Sequence, residues 1–148
     1  MATTIFQGFY DDLLAGELTG APDLRVLLVM SSFSGETEED AQTLSDITTL
    51  DEFDGVGYSR LDLAGVAVAY DSTADEVQFD GTDGSFGDPV APGSDVIYGM
   101  VVYRYVDGTA ANDVVHAFTS DGGFGVNANN GPLSLTVPAA GLLFIRPA

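Results

Sequence analysis

The chain has no cysteine, no lysine and no tryptophan, and a single histidine. Without cysteine there is no disulfide framework, no thiolate zinc site and no thiol nucleophile, and the redox compartment stays open. Without lysine a phosphate-cradling Walker loop is excluded. The missing tryptophan counts against a sugar-cleaving site, which favours aromatic platforms. No run approaches the ~18 consecutive apolar residues of a membrane span, so no membrane partner is expected. The first twelve residues, Met1 to Asp12, lack the basic start and apolar core of a secretory leader, so no export signal is expected.

Positive charge is the other shortage. There are 23 acidic residues against 4 basic ones, a formal net charge of −19. All the basic residues are arginine: Arg25, Arg60, Arg104 and Arg146. Such a surface repels itself at low ionic strength and repels phosphates, so no nucleic-acid partner is expected. Salt near 1 M shortens the Debye length to about 3 Å and removes most of that repulsion. An acidic, lysine-free, Asp-rich surface resembles proteins of halophiles and their viruses. A GC-rich or marine mesophile with a moderately acidic surface accounts for it equally.

What is present is enough for one folded domain. A chain of 148 residues buries roughly two thirds of the surface its unfolded form exposes, and 45% hydrophobic residues is an ordinary globular composition. Between Thr4 and Leu18, Ile5, Phe6, Phe9, Tyr10, Leu13 and Leu14 alternate with Asp11, Asp12 and Glu17. Their i, i+4, i+8 spacing predicts an amphipathic helix, capped by Thr3 or Thr4 and ending near Gly16, or an arm that orders only on docking. After a turn at Gly20–Asp23, Leu24 to Met30 reads as a buried strand. Ser31 to Asp51 is polar and acidic, with Glu36 to Gln42 reading as an exposed loop or short helix and Leu44, Ile47 and Leu50 forming a helical turn tucked under a sheet.

The remainder reads as β. Strands are expected over Tyr58–Tyr70, in a hairpin of Val66–Tyr70 with Glu76–Asp80, and at Asp95–Val106, Asp113–Thr119, Leu133–Val137 and Gly141–Ile145. About seven short strands separated by turn residues point to a sandwich or small barrel. The expected fold is therefore mostly β, a β-sandwich or jelly-roll-like domain, with a short N-terminal helix or arm over residues 1–20 and the sandwich over 21–148.

Motifs that would carry catalysis are missing. Gly57-Tyr58-Ser59-Arg60-Leu61 lacks the second glycine of a nucleophile elbow and sits among strands. Gly55-Val56-Gly57 and Gly123-Phe124-Gly125 do not continue into a phosphate loop; their expected task is positive φ. His116 shares a strand face with Val114 and Phe118 by alternation, and reads as a partly buried residue with one hydrogen bond. Asp71, Asp75, Asp80, Asp83 and Asp88 cluster near glycine-rich loops but miss the spaced calcium-loop pattern, so a solvated acidic loop is expected. Tyr98, Tyr103 and Tyr105 form either an exposed stripe or core and sheet-edge packing. No catalytic residue, cofactor or metal ligand is assigned.

Several short segments recur together in a recognisable order. They are Leu14-Ala-Gly16-Glu-Leu18, Asp23-Leu-Arg-Val-Leu-Leu-Val29, Thr43-Leu-Ser-Asp-Ile47 and Glu52-Phe-Asp-Gly-Val-Gly-Tyr-Ser-Arg60. Val68-Ala-Tyr-Asp71 with Glu76-Val-Gln-Phe79 follows, then Val96-Ile-Tyr98, Pro132-Leu-Ser-Leu-Thr-Val137 and Gly141-Leu-Leu-Phe144. In this pattern the chain resembles small capsid decoration, or cement, proteins of tailed bacteriophages and archaeal tailed viruses. The resemblance implies a non-enzymatic virion protein on the outer surface of an icosahedral shell, made in the host cytoplasm. Its implied partners are the major capsid protein and itself, as a homotrimer. Ile5, Phe6, Phe9, Tyr10, Leu13 and Leu14 are the candidate capsid or oligomer contacts. The alternatives are a tail or head–tail connector component, or a non-viral ligand-binding β module.

Overall fold

Fourteen short strands and one α-helix make up the regular structure among the described residues of the computed structural model, which are 3–73, 76–90, 96–121, 124–128, 131–137 and 143–145. In chain order they are β1 (Thr3–Ile5), α1 (Gln7–Ala15), β2 (Leu24–Val29), β3 (Val56–Tyr58), β4 (Leu61–Asp62), β5 (Ala67–Asp71), β6 (Glu76–Asp80) and β7 (Gly84–Ser85). They continue as β8 (Gly87–Val90), β9 (Val96–Ile97), β10 (Gly99–Arg104), β11 (Val114–Thr119), β12 (Val126–Asn127), β13 (Ser134–Leu135) and β14 (Leu143–Ile145). The fold is mostly β with a short N-terminal helix, as expected.

The frame is a five-stranded antiparallel sheet in the order β1-β11-β10-β2-β4. A three-stranded sheet, β14-β6-β5, and the ribbons β3/β8, β7/β13 and β9/β12 complete the pairing. The expected hairpin is β5–β6, in register from Ala67↔Asp80 to Asp71↔Glu76. The expected strands over 58–70 and 95–106 are each broken into shorter pieces with different partners.

Strand β2 is apolar at almost every position because both of its faces are covered. Val26 and Leu28, with Met100 and Val102 of β10, pack against Phe9 of α1, Phe79 of β6, Phe86, Leu61 and Leu63. This is the sandwich-like side, sheet against smaller sheets and helix. On the opposite face Leu27, Val29, Val101, Tyr103, Val115 and Phe118 meet Phe33, Ala41, Leu44 and Ile47.

That second layer comes from the acidic segment after β2, which covers the sheet and exposes most of residues 36–42 to solvent. Two single turns of 3₁₀ helix, Gly35–Thr37 and Leu44–Asp46, shape it. The helical turn expected around Leu44 and Ile47 is there, tucked under the sheet. Its start is a capping box: the Asp46 N–H donates to the Thr43 side chain, and the Thr43 N–H donates to Asp46 Oδ2 at 2.8 Å. Leu44 and Ser45 N–H groups donate to the Asp113 and Ala110 carbonyls at 3.0 and 2.9 Å, tying the cover to the β10–β11 hairpin.

The helix expected over Thr4–Leu18 is confined to Gln7–Ala15. Thr3 and Thr4 are not its caps. They pair in β1 with Thr119 and Phe118. Phe6 occupies the N-cap with no side-chain cap, and the orphan N–H groups of Gln7 and Gly8 instead donate to the Glu39 and Ala41 carbonyls at 2.7 and 3.1 Å. Gly16 closes the helix at φ 77°, its N–H reaching the carbonyls of Asp12 and Leu13. Residues 3–18 are thus sewn into the sheet and both cores.

Asp75, Asp95, Gly123, Gly141 and Arg146, and the side chain of Asp71, lie outside the described residues.

Candidate functional site

Helix α1 presents one face to the protein and one to solvent, and each face mixes polar with apolar residues. Gly8, Phe9 and Asp12 are its buried residues. Gly8 has no room for a Cβ, which would strike the carbonyl oxygens of Gln42 and Val115. The helix backbone therefore lies directly against β11 and the cover. Phe9 stands edge-on to His116 and Phe79, at ring separations of 5.6 and 5.2 Å.

Asp12 is a buried carboxylate held by Arg104 and His116. Arg104, at the end of β10, grips it with both prongs: Nε to Oδ2 and Nη2 to Oδ1, each at 2.7 Å. His116 Nε2 lies 2.7 Å from Oδ2. Glu17 flanks Arg104 at 3.9 Å. Burial alone would raise the Asp12 carboxyl, but hydrogen bonds and charge from Arg104 and His116 outweigh it and pull the pKa from 3.8 down to about 2.

A β-bulge delivers the histidine to this place. Val102 pairs with Ala117 and Tyr103 with Val115, so His116 has no residue opposite it. The extra residue breaks the alternation that sequence reading assumed. Val115 and Phe118 enter one core while His116 turns to Phe9 and Asp12 on the other side. His116 is fully buried. Its expected single hydrogen bond is present, to a carboxylate that is already an ion-pair partner, so the cluster acts as a pin holding α1 on the β10–β11 hairpin.

The outer face carries Tyr10, Leu13 and Leu14, with relative exposures of 45%, 49% and 88%. Residues three and four apart are neighbours on a helix, so these form one patch. Gln7 and Asp11, joined by a hydrogen bond of 2.8 Å, border it at one side and exposed Glu17 at the other. Of the six candidate contacts, only Tyr10, Leu13 and Leu14 are free to meet another molecule. Phe6 and Phe9 are fully buried and Ile5 is half-buried against the core. This corrects their reading as docking residues.

The three described arginines are each held by a carboxylate. Arg60 binds Glu52 at 2.8 and 2.7 Å and donates to Tyr103 Oη at 3.2 Å. Tyr58 Oη donates to Glu52 at 3.1 Å and accepts from the Leu28 N–H at 3.0 Å. Burial first, and then the Glu52 charge, pushes the Tyr58 phenol above its ordinary range. Arg25 pairs with Asp23 at 3.2 Å and lies 3.5 Å above the Tyr105 ring. The three tyrosines form no exposed stripe: Tyr103 is buried, and Tyr98 and Tyr105 pack against its core.

Nothing else converges on a ligand. Ser59 is exposed beside β3. Asp80 and Asp83 accept from backbone N–H groups of Gly81 and Val137, each at 2.8 Å, and Asp88 is exposed. Among the described residues no three His, Asp or Glu side chains are gathered to hold a metal ion. An open hollow of about 270 Å³ lies over Asp40, Ala41, Gln42 and Asp46, where Asp46 is already engaged by the capping box. Among the described residues no helix is long and apolar enough to cross a membrane.

No protein-family model matches the chain, and neither a curated protein nor a solved structure matches it.

Proposed function

We propose that the chain is a virion structural protein without enzymatic activity, a capsid decoration protein that binds the outer surface of a tailed-virus icosahedral shell and stabilises it. One observation carries the reading: α1 turns Asp12 inward and Leu13 and Leu14 outward. Folding alone favours the opposite arrangement, since an amphipathic surface helix stabilises the fold by burying its apolar stripe. An outward patch of Tyr10, Leu13 and Leu14 on a helix pinned rigidly to the sheet is suited to docking on a second surface.

The pattern of short segments shared with decoration proteins supports the same reading. In it the partners are the major capsid protein and two further copies of this chain, in a homotrimer at threefold positions. Each contact is modest, and shell stability comes from repetition across the lattice and from several contacts per trimer.

Quantitative mass spectrometry of purified particles from a host producing this chain tests the proposal. Copies in fixed proportion to the major capsid protein are expected, together with labelling of the chain on intact shells by an impermeant reagent. Copies limited to a neck or tail ring would replace decoration with a connector role. Absence from particles would end the virion reading. Light scattering of the purified chain across a salt series tests the trimer, and a single-chain mass at every salt concentration would remove it.

A further inference from the structure

The cover leaves the sheet after β2 and returns to it before β3, and its two ends are tied to each other. The Ser34 N–H donates to the Thr49 carbonyl at 3.0 Å, and the Thr49 N–H donates to Ser34 Oγ at 2.8 Å. Just outside that tie the Met30 N–H donates to the Asp51 carbonyl at 2.8 Å, and Val29 bridges Glu52. Asp51 turns the chain there at φ 44°, in the left-handed region that a non-glycine residue seldom enters. Residues 34–49 therefore have the form of an Ω-loop, a compact surface loop whose ends meet and whose own side chains pack it. We infer that this loop is a lid: it opens from the sheet as one unit about the Ser34–Thr49 tie, and its opening releases the start of α1.

The loop is built to move as a piece. Its base is closed independently of the face it covers, so lifting it leaves the Met30–Asp51 bond and the Phe53 N–H bond to the Leu28 carbonyl in place. Carboxylates hold its interior together. Asp46 Oδ2 accepts the Gln42 and Thr43 N–H groups at 3.1 and 2.8 Å, and Glu38 Oε2 accepts the Thr48 N–H at 3.0 Å and Ser34 Oγ at 3.2 Å. Within 34–49 only Ala41, Leu44 and Ile47 enter the core, and the core on the other face of the sheet contains none of the loop's residues. A segment with few buried apolar contacts opens at a lower free energy than the whole domain.

The lid is also the partner of α1. The first N–H groups of a helix have no acceptor within it, and those of Gln7 and Gly8 are met by two lid carbonyls, of Glu39 and Ala41. Gly8 lies so close to the Gln42 carbonyl that a Cβ would not fit between them. The Val115 N–H donates to that same carbonyl at 3.1 Å, while Leu44 and Ser45 donate to the Asp113 and Ala110 carbonyls of the β10–β11 hairpin. Lifting the lid strips all five N–H groups of their partners at once. The rest of α1 stays on the sheet, because Arg104 still grips Asp12.

Native-state hydrogen exchange, read residue by residue by NMR on the intact protein, tests the lid. The amides of Gln7, Gly8, Leu44, Ser45 and Val115 are expected to share one opening and to exchange at least tenfold faster than the β10 amides that bond β2. Asp46 is exposed, so Asp46→Ala removes the acceptor of Gln42 and Thr43 without touching the core. It should speed the five amides together and leave β10 and the β5–β6 hairpin unchanged. Exchange of the five at the β10 rate in the parent would mean that they open only with the whole domain, and the lid fails without recourse to any variant. A variant that speeds Leu44 and Ser45 but not Gln7 and Gly8 would break the coupling to α1. One that exchanges like the parent, or that speeds β10 equally, would likewise overturn the inference.

Discussion

The two faces of α1 divide between them what one amphipathic helix usually does with one. The inner face holds the helix to the protein with a single aromatic, Phe9, a close backbone approach at Gly8 and an ion pair at Asp12. The outer face exposes Leu13 and Leu14, with Tyr10 edge-on to Phe9 at 5.5 Å. Strand β2 makes the contrast plain. It is apolar on both faces because sheet, helix and cover bury both, whereas α1 carries two leucines on a face left exposed. Apolar surface that folding leaves outside points to an encounter, and a charge that folding takes inside points to a device for holding position.

The largest break in that comparison comes from the inner face. Asp12→Ala strands Arg104 and His116 without their shared carboxylate, and removing one partner of a buried pair costs about 3–5 kcal/mol. Chemical denaturation should show a lower midpoint with an unchanged slope. A loss below about 1 kcal/mol would mean that the pin contributes no more than an exposed salt bridge. Deleting Met1 to Leu14 would be harsher still, since it removes β1, Phe6, Phe9 and Asp12 together. It would unfold the domain rather than isolate an assembly defect.

Acid should release the same pin more gently. The folded Asp12 carboxyl sits at about 2, below its ordinary 3.8. It therefore adds stability that is complete above the unfolded value and is lost as pH falls through the folded one. Between roughly pH 4 and pH 2 the loss is on the order of 2 kcal/mol from this group. Asp12→Asn should flatten that part of the stability profile. An Asn variant with the same acid slope as the parent would place the loss in other carboxylates.

Much of this frame was legible in the sequence, and the misreadings have specific physical causes. The apolar run of β2, the β5–β6 hairpin, β11 and the Gly16 stop are local signals, carried by periodicity and turn chemistry. The orientation of α1 was not legible. Ile5, Phe6, Phe9 and Leu13 make as good an apolar stripe as Tyr10 and Leu14, and Arg104 and His116, both more than ninety residues away in sequence, decide that Asp12 goes inside. The helix N-terminus misled for a related reason: its N–H groups are met by carbonyls of the cover, so Thr3 and Thr4 were free to become a strand. The bulge at His116 adds one residue to β11, and strict alternation places its side chain on the wrong face. How much of the cover enters the core was hard to see, because Phe33, Ala41, Leu44 and Ile47 are spread among many polar residues. Its capping box, Thr43 with Asp46, was the sequence signal that could have marked it as ordered.

The smallest expected effect on folding is the sharpest test of the comparison. Leu14 is 88% exposed, so Leu14→Ser removes almost no buried surface and should change stability by less than about 0.5 kcal/mol, as surface substitutions do. Serine is a slightly poorer helix former than leucine, which pushes the value toward the destabilising end of that range. A thermal melt of the purified variant should overlay the parent. If it instead falls by several degrees, Leu14 is covered within the free protein or its own oligomer, and the outer face belongs to folding after all. A matched melt with docking lost would leave the outer face with one role, contact with another surface, and the inner face with the other, holding that surface still.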